Sequence, residues 1–153
     1  MNPLYNSASC FACGLENPSG LHLRFCDNGR DRVFTRFTID PAHAGYPGMA
    51  HGGIVTAILD EVGGRTMMIN HPNRFFVTAH MDVHFRQPVP ISVLLDASGW
   101  FLKSSGRRTR AHAEIITSEA GTLAEANILF TDMPTNLLDP DEARHTFGWR
   151  PYD

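Results

Sequence analysis

The chain has 153 residues, of which 42% are hydrophobic, and its formal net charge at pH 7 is −3. A general nucleic-acid-binding domain shows a basic surplus, so 13 Lys and Arg residues against 16 Asp and Glu residues argue against that class. No apolar run is long enough to cross a membrane, and residues 1–9 lack the basic start and apolar core of a signal peptide. The composition therefore predicts a globular domain in the cytoplasm.

The N-terminal segment, residues 1–19, is rich in Asn, Ser, Pro and Gly and predicts an irregular lead-in. Within it, Cys10-Phe11-Ala12-Cys13 has the spacing of half a zinc site. Structural zinc takes four ligands, however, and no second Cys-x-x-Cys follows. Cys26 and His22 would complete a set only if the fold brought them together. We expect a packed turn of reduced thiols here and no metal, because an odd cysteine count without a secretion signal favours free thiols.

Two stretches of alternating hydrophobicity come next and predict a β-hairpin. Residues 20–26 and 32–39 alternate between apolar and polar side chains, which is typical of half-buried strands. The sequence Asp27-Asn28-Gly29 between them favours a turn. Residues 40–50 contain two prolines and two glycines, so we expect a loop that leads into the next element.

Residues 51–61 carry the strongest chemical signal of the chain. Gly52 and Gly53 begin an apolar helix that contains an acidic pair, Asp60 and Glu61, about two turns further on. Glycine backbone can approach a ligand closely, and a helix start has unpaired N–H groups with partial positive charge. Such a helix start suits a carbonyl oxygen that becomes negative during acyl transfer. The pattern favours an oxyanion site at the helix start, and acids embedded in an otherwise apolar run require a specific reason to be there.

This helix is predicted to run from Gly52 to Ile69. Gly63 and Gly64 lie inside it at a cost of about 1 kcal/mol each relative to alanine, so either the helix weakens there or another backbone passes close by. Asp60 follows Gly52 by eight residues, or roughly 12 Å along the axis, which is too far for it to attack a carbonyl at its own helix start. Two antiparallel helices related by a twofold axis would bring Asp60 beside the partner's Gly52. We therefore predict a shared site, with the glycine pair easing the approach of the two helices.

The second half of the chain predicts four strands and a tail. Strict alternation along residues 75–85 places Thr78 with His80, Asp82 and His84 on a polar face. We expect that face to be the outside of the sheet, or a surface between dimers, rather than a metal site. The other strands are predicted at residues 91–102, 107–117 and 123–131.

Two strands, one helix that is apolar nearly all round, and four more strands predict an α+β fold. In it, a curved antiparallel sheet wraps around one long central helix. We expect a single domain at residues 20–133 and a tail with one short helix at residues 134–153.

Several of these pieces resemble the hotdog-fold thioesterase superfamily, in the branch similar to the phenylacetate-pathway PaaI and 4-hydroxybenzoyl-CoA thioesterases. The resemblance spans roughly Cys10 to Met133. The matching pieces are residues 10–21, His51-Gly52-Gly53 with Asp60 nine positions after the histidine, Val77-Thr78 with the strand to Pro88, and residues 121–130.

The resemblance implies a catalytic role for several residues of the helix and the following strand. In the family, an acid on the central helix activates water or attacks the thioester carbonyl, and N–H groups at the helix start hold the oxyanion. Some relatives have an Asn or Gln six residues before the histidine, where this chain has Gly45. Carried over, Asp60 is the base or nucleophile, Gly52 and Gly53 are the oxyanion donors, and Thr78 orients water. The residues themselves leave Glu61 open as the alternative acid, because neighbouring helical side chains point about 100° apart. They also leave His51 open as an orienting group or a base.

A cluster of basic residues predicts where coenzyme A would bind. Lys103, Arg107, Arg108 and Arg110 surround a hairpin, and Arg86 ends the strand after Thr78. Arginine can bind phosphate with two parallel hydrogen bonds, so these residues are candidates for a phosphate clamp. The alternative is a solvated turn without a ligand.

Together these features predict an acyl-CoA thioesterase that acts as a homodimer or tetramer without metal or cofactor. A competing hypothesis is a non-catalytic hotdog protein that binds an acyl or aromatic ligand. A third is a hotdog dehydratase, although those enzymes pair a histidine and an acid in a different arrangement.

Overall fold

A computed structural model describes residues 1–152 and consists of one seven-stranded antiparallel sheet curved around a central helix. This is the predicted α+β architecture. The elements are β1 Asn2–Pro3, β2 Cys26–Asp27, β3 Arg32–Phe37, α1 Gly52–Arg65, β4 Phe76–Phe85, β5 Leu95–Ser105, β6 Arg108–Thr117, β7 Gly121–Asp132 and α2 Pro140–Phe147. The sheet has the order β1-β2-β3-β5-β6-β7-β4, so β4 and β1 are its edges.

The predicted strand at residues 20–26 is wrong except at its end. Only Cys26 and Asp27 pair with β3. The N–H groups of Leu21 and Leu23 donate instead to carbonyls of the N-terminal segment, and His22 has a left-handed backbone with φ of 53° that breaks an extended ladder. The alternation at Leu23 and Phe25 therefore reflects packing onto the core, where both are buried. The start of the lead-in also pairs with the sheet, through β1.

Helix α1 forms the centre of the core. His51 caps it, since its Nδ1 accepts a hydrogen bond of 2.9 Å from the N–H of Gly53. Ile58, Leu59 and Val62 are fully buried against the sheet. The helix ends at Arg65 and a 3₁₀ turn over Thr66–Met68 continues it, so the predicted helical span is right in extent but changes type near its end.

The glycine pair of α1 has a different role from the predicted one. A Cβ on Gly63 would lie 2.6 Å from Ile128 Cδ1, and one on Gly64 would lie 2.7 Å from Phe76 Cε2. Side chains of β7 and β4 therefore fill the space beside these glycines, and the helix continues through them. The expectation that they ease the approach of a partner helix is wrong. Close backbone approach occurs at Gly99, where a Cβ would lie 2.7 Å from the Val62 carbonyl oxygen.

We expect Gly64→Ala to lower the free energy of unfolding by about 1–2 kcal/mol. The added methyl group would force the Phe76 ring to move, and overpacking of this kind destabilises a core by about 1–3 kcal/mol. The higher helix propensity of alanine offsets part of that loss. Urea denaturation measures the change. Gly52→Ala is the control, since the nearest atom to its new Cβ would be 3.8 Å away. Equal stability of the two variants would contradict the packing argument.

A β-bulge in β4 changes which side chains face the helix. The pairing with β7 shifts register between Thr78 and His80. Before the bulge Phe76 and Thr78 face α1, and after it Met81 and Val83 pack against the core on the same side. The prediction that Thr78 shares the polar face with His80 is therefore wrong. The extra residue turns the Thr78 hydroxyl towards the helix.

The C-terminal part follows the sequence prediction more closely. Strand β5 begins at Leu95 rather than residue 91, because Ser92 has a left-handed φ of 58° and its N–H donates to Ile39. The tail contains the single predicted short helix, α2, which ends at Gly148 in the left-handed conformation. Trp149 then returns to the core, where it is buried and its Nε1–H donates to the Pro72 carbonyl at 2.7 Å.

Among residues 1–152, no helix combines the length and hydrophobicity needed to cross a bilayer.

Candidate active site

Asp60 lies in the wall of a cavity of about 210 Å³ beside the second half of α1. The polar part of the wall includes Glu61, Thr78, Cys10 and Cys13. The apolar part is mainly aromatic and is supplied by the start of β4, by β7 and by the C-terminal tail: Phe75, Phe76, Phe130, Phe147 and Trp149. Trp149 therefore contributes to the cavity wall, which the sequence could not indicate. An aromatic cavity with a few convergent polar groups is typical of a small-molecule site.

The Asp60 carboxylate is held in place and made more basic. Thr78 Oγ1 donates a hydrogen bond of 2.6 Å to Asp60 Oδ1. Burial raises the pKa of Asp60 above its usual value, and the neighbouring Glu61 charge adds to this, while the Thr78 hydrogen bond acts in the opposite direction. A carboxylate with a raised pKa is a stronger proton acceptor, so Asp60 is suited to act as a base.

Glu61, the alternative acid, is bound to a buried cation. Arg65 Nε donates to Glu61 Oε1 at 2.8 Å, and a second guanidinium nitrogen donates to the Tyr5 carbonyl. The Arg65 side chain is buried between the rings of Phe25 and Trp149, with its Cζ atom 4.7 and 4.9 Å from the two ring centroids. Glu61 neutralises this guanidinium. The i,i+4 spacing of Glu61 and Arg65 on the helix is the sequence signal that indicates this pair.

The start of α1 lines a second cavity, of about 880 Å³. The Gly52 N–H has no hydrogen-bond partner among the residues that the structure describes. The Gly53 N–H is occupied by His51 Nδ1, so His51 acts as a cap in this arrangement. Gly45 lies against His51, where a Cβ would come within 3.1 Å of the His51 Cα. Arg86 also lies on this wall, with Nη2 3.5 Å from Glu125 Oε1.

The predicted catalytic residues thus fall into two groups within one chain. Asp60, Glu61 and Thr78 line the aromatic cavity, whereas His51 and Gly52 line the cavity at the helix start. The eight-residue separation along α1 corresponds to roughly 12 Å.

The predicted basic cluster lies on the β5–β6 hairpin, apart from both cavities. Lys103, Arg108 and Arg110 surround a small surface pocket of about 200 Å³. Arg107 is in the hairpin turn, where its carbonyl accepts a hydrogen bond from the Asp132 N–H. Of the predicted phosphate-binding residues, only Arg86 lines a cavity that the candidate catalytic residues also line.

The cysteines are distributed differently from the set considered for zinc. Cys26 lies near Met1 and His22 contacts the Asn17 carbonyl, so neither joins Cys10 and Cys13. A hydrogen bond from the Cys13 thiol lowers the pKa of Cys10, and the same bond together with burial raises the pKa of Cys13. The histidine and acid side chains at positions 80, 82 and 84 of β4 are exposed.

Residues 47–124 match the thioesterase superfamily, and the chain belongs to that family. The matched segment contains all of α1 and β4, and with them both groups of candidate catalytic residues. The family resemblance predicted from the sequence is confirmed.

Two individual proteins are similar to the chain at low sequence identity. The acyl-coenzyme A thioesterase THEM4 of Rattus norvegicus is 25% identical over 139 residues, which cover 90% of this chain and 57% of the rat protein. The chain thus spans little more than half the length of that relative. Among solved structures, the thioesterase superfamily protein RHA08564 is 24% identical with a TM-score of 0.69, covering 78% of this chain and 58% of the other.

A third similar protein was solved with a ligand. The BH2602 protein of Bacillus halodurans, crystallised with CoA, is 21% identical with a TM-score of 0.64, covering 74% of this chain and 76% of the other. The two structural likenesses confirm the hotdog fold.

Proposed function

We propose that the chain is an acyl-CoA thioesterase, which hydrolyses a thioester to a carboxylic acid and free CoA. The observation that carries this proposal is the environment of Asp60, a basic carboxylate fixed by Thr78 in an aromatic cavity. The rat relative is named an acyl-coenzyme A thioesterase, and the Bacillus halodurans protein was solved with CoA, which supports the choice of substrate.

In the proposed reaction Asp60 removes a proton from a water molecule as the water oxygen attacks the thioester carbonyl. Thr78 holds one carboxylate oxygen, so the other faces the water. The tetrahedral oxyanion is stabilised by backbone N–H groups at a helix start, each worth about 2.7–4 kcal/mol in comparable sites. The carbon–sulfur bond then breaks, and the CoA thiolate leaves with the proton from Asp60. Direct attack by Asp60, followed by hydrolysis of the anhydride, uses the same groups.

Gly52 is the proposed first oxyanion donor, since its N–H is available. Gly53 joins it when the His51 ring turns away from its N–H, so His51 controls that second donor.

We further propose that the working unit is a homodimer, with Asp60 of one subunit facing Gly52 of the other. The separation of the two residues into different cavities of one chain supports this. Strand β4 is an unpaired edge of the sheet, and its Val77 and Phe85 are 41% and 56% exposed. An edge with exposed apolar side chains is suited to pairing with a second copy. Light scattering after gel filtration would give the mass, with a tetramer as the larger assembly consistent with this proposal and a monomer as the result against it.

Arg86 is the proposed contact for the phosphates of CoA, with Lys103, Arg107 and Arg108 as further candidates on the hairpin. We expect Arg86→Ala to raise KM for acyl-CoA by roughly tenfold, because a charge-assisted hydrogen bond contributes about 1.5–3 kcal/mol. KM for an acyl-N-acetylcysteamine thioester, which lacks the phosphates, should stay unchanged. Arg30→Ala, in the turn after β2, is the matched control. An equal rise in KM for both substrates would argue against phosphate contact.

The first experiment is colorimetric thiol release from short, medium, long and aromatic acyl-CoAs. Turnover of any of them supports the proposal and identifies the acyl class. Ligand binding without turnover would favour the non-catalytic alternative, and hydration of an enoyl-CoA would favour a dehydratase.

The free state of all three cysteines agrees with a cytoplasmic location, where we propose the reaction occurs.

A further inference from the structure

The N-terminal segment and α1 together form a cluster that the proposed hydrolysis does not use. Cys10 Sγ, Cys13 Sγ and a carboxylate oxygen of Glu61 all lie within 4.8 Å of one another. The cysteines are some 50 residues from Glu61 in the sequence, so only the fold brings the three together. We infer that Cys10, Cys13 and Glu61 bind a zinc ion.

The backbone around the cysteines holds both thiols on the same side of a tight turn. The Gly14 N–H donates to the Cys10 carbonyl at 2.8 Å, and a Cβ on Gly14 would lie 2.3 Å from that oxygen, so the turn requires glycine. Ser7 Oγ accepts from the Cys10 N–H at 2.9 Å and lies 3.7 Å from Cys13 Sγ. These contacts fix the orientation of two ligands before a metal arrives.

Glu61 is likewise oriented by a second group. Among residues 1–152, Arg65 is its hydrogen-bond partner and takes only Oε1. The other carboxylate oxygen is then available to a metal. Carboxylates that bind metal ions are usually held by a further hydrogen bond, which Arg65 supplies here.

The charges in the cluster balance when zinc is present. Arg65 is positive and Glu61 is negative. Zinc bound to the Cys10 and Cys13 thiolates adds two positive and two negative charges, so the complete group has no net charge. Binding therefore leaves no uncompensated charge beside the buried guanidinium. Thiolate sulfur and carboxylate oxygen are both ordinary zinc ligands.

The cluster lines the same cavity as Asp60, which gives the ion a place for a fourth ligand. Three protein ligands leave one position of a tetrahedral ion for water or a ligand atom. The ion would also link the N-terminal segment to α1. Neither consequence depends on thioester hydrolysis, so the metal site and the proposed function can be tested separately.

The test is the zinc content of the full chain, produced in zinc-supplemented medium and purified with a reductant and without chelators. Inductively coupled plasma mass spectrometry should give about one zinc ion per chain in the wild type and in Cys26→Ser. Cys10→Ser and Cys13→Ser should lose it, and Glu61→Gln should bind it more weakly, by roughly 10–100-fold or more. Cys26→Ser is the matched control, because that thiol lies outside the cluster.

A second measurement keeps the test decisive if a cysteine variant fails to fold. Wild-type protein stripped by a chelator is titrated with Co²⁺, and a thiolate-to-cobalt charge-transfer band is the expected result. Chelation should also lower the melting temperature of the wild type and Cys26→Ser. Equal zinc content in wild type and Cys10→Ser, or absence of the cobalt band in reduced wild type, would overturn the inference. If the wild-type chain bound zinc but hydrolysed no thioester, the result would count against the proposed function and leave the zinc site intact.

Discussion

Asp60→Asn is expected to lower kcat for acyl-CoA hydrolysis by about 10²–10⁴-fold, the range typical for removal of a general base. The asparagine side chain has nearly the same shape, and its amide oxygen can still accept the hydrogen bond from Thr78. It can neither take a proton from water nor attack as a carboxylate. The defect should therefore appear in kcat, while binding of a non-hydrolysable acyl-CoA analogue stays near the wild-type value. Thiol release and calorimetric binding measure the two quantities.

Two further variants show whether the effect belongs to this carboxylate. Asp141→Asn makes the same chemical change at an exposed position of α2, outside both cavities, and should hydrolyse acyl-CoA at the wild-type rate. Glu61→Gln tests the neighbouring acid, which the structure pairs with Arg65. If Asp60→Asn retained turnover and Glu61→Gln lost it, the catalytic assignment would move by one residue.

The central helix and its acid could be predicted from the sequence because their signals are local. An apolar run after two glycines specifies a buried helix, and an acid within that run stands out against it. Most strand positions after the helix were also predictable, since alternation indicates burial on one face. The alternation at residues 20–26 was misleading, because that segment packs on the core without pairing as a strand except at its end. The register of β4 was not predictable, because one bulged residue reverses the alternation at Thr78 without a change in composition. The family resemblance selected Thr78 although its predicted face was wrong.

Features that depend on distant parts of the chain could not be read from local patterns. Gly63 and Gly64 suggested a close backbone, whereas the nearest atoms belong to side chains of β4 and β7. Trp149 joins the aromatic cavity only because α2 turns the tail back onto the core. Glu61 meets Cys10 through tertiary structure alone, and sequence spacing offers no sign of that meeting.

Gly52→Pro is expected to lower kcat by about 10²–10³-fold, because it removes one oxyanion donor and little else. Gly52 is the first residue of α1, where proline is favoured, and its N–H makes no hydrogen bond among the described residues. His51 already has an extended backbone, with φ of −61° and ψ of 138°, as a residue before proline requires. Gly52→Ala keeps the N–H, so the ratio of the two rates measures the donor. Equal rates for the proline and alanine variants would show that this N–H does not stabilise the transition state.

Mixing the two inactive variants tests whether each site is shared between subunits. A heterodimer of Asp60→Asn and Gly52→Pro chains has both defects in one shared site and none in the other. After unfolding and refolding of an equal mixture, random pairing should restore about a quarter of the wild-type activity. If each chain instead combined its own Asp60 with its own Gly52, every site would carry one defect and the mixture would stay as inactive as its components. Recovery of activity therefore requires that the acid and the oxyanion donor come from different subunits, as their separation along α1 implies.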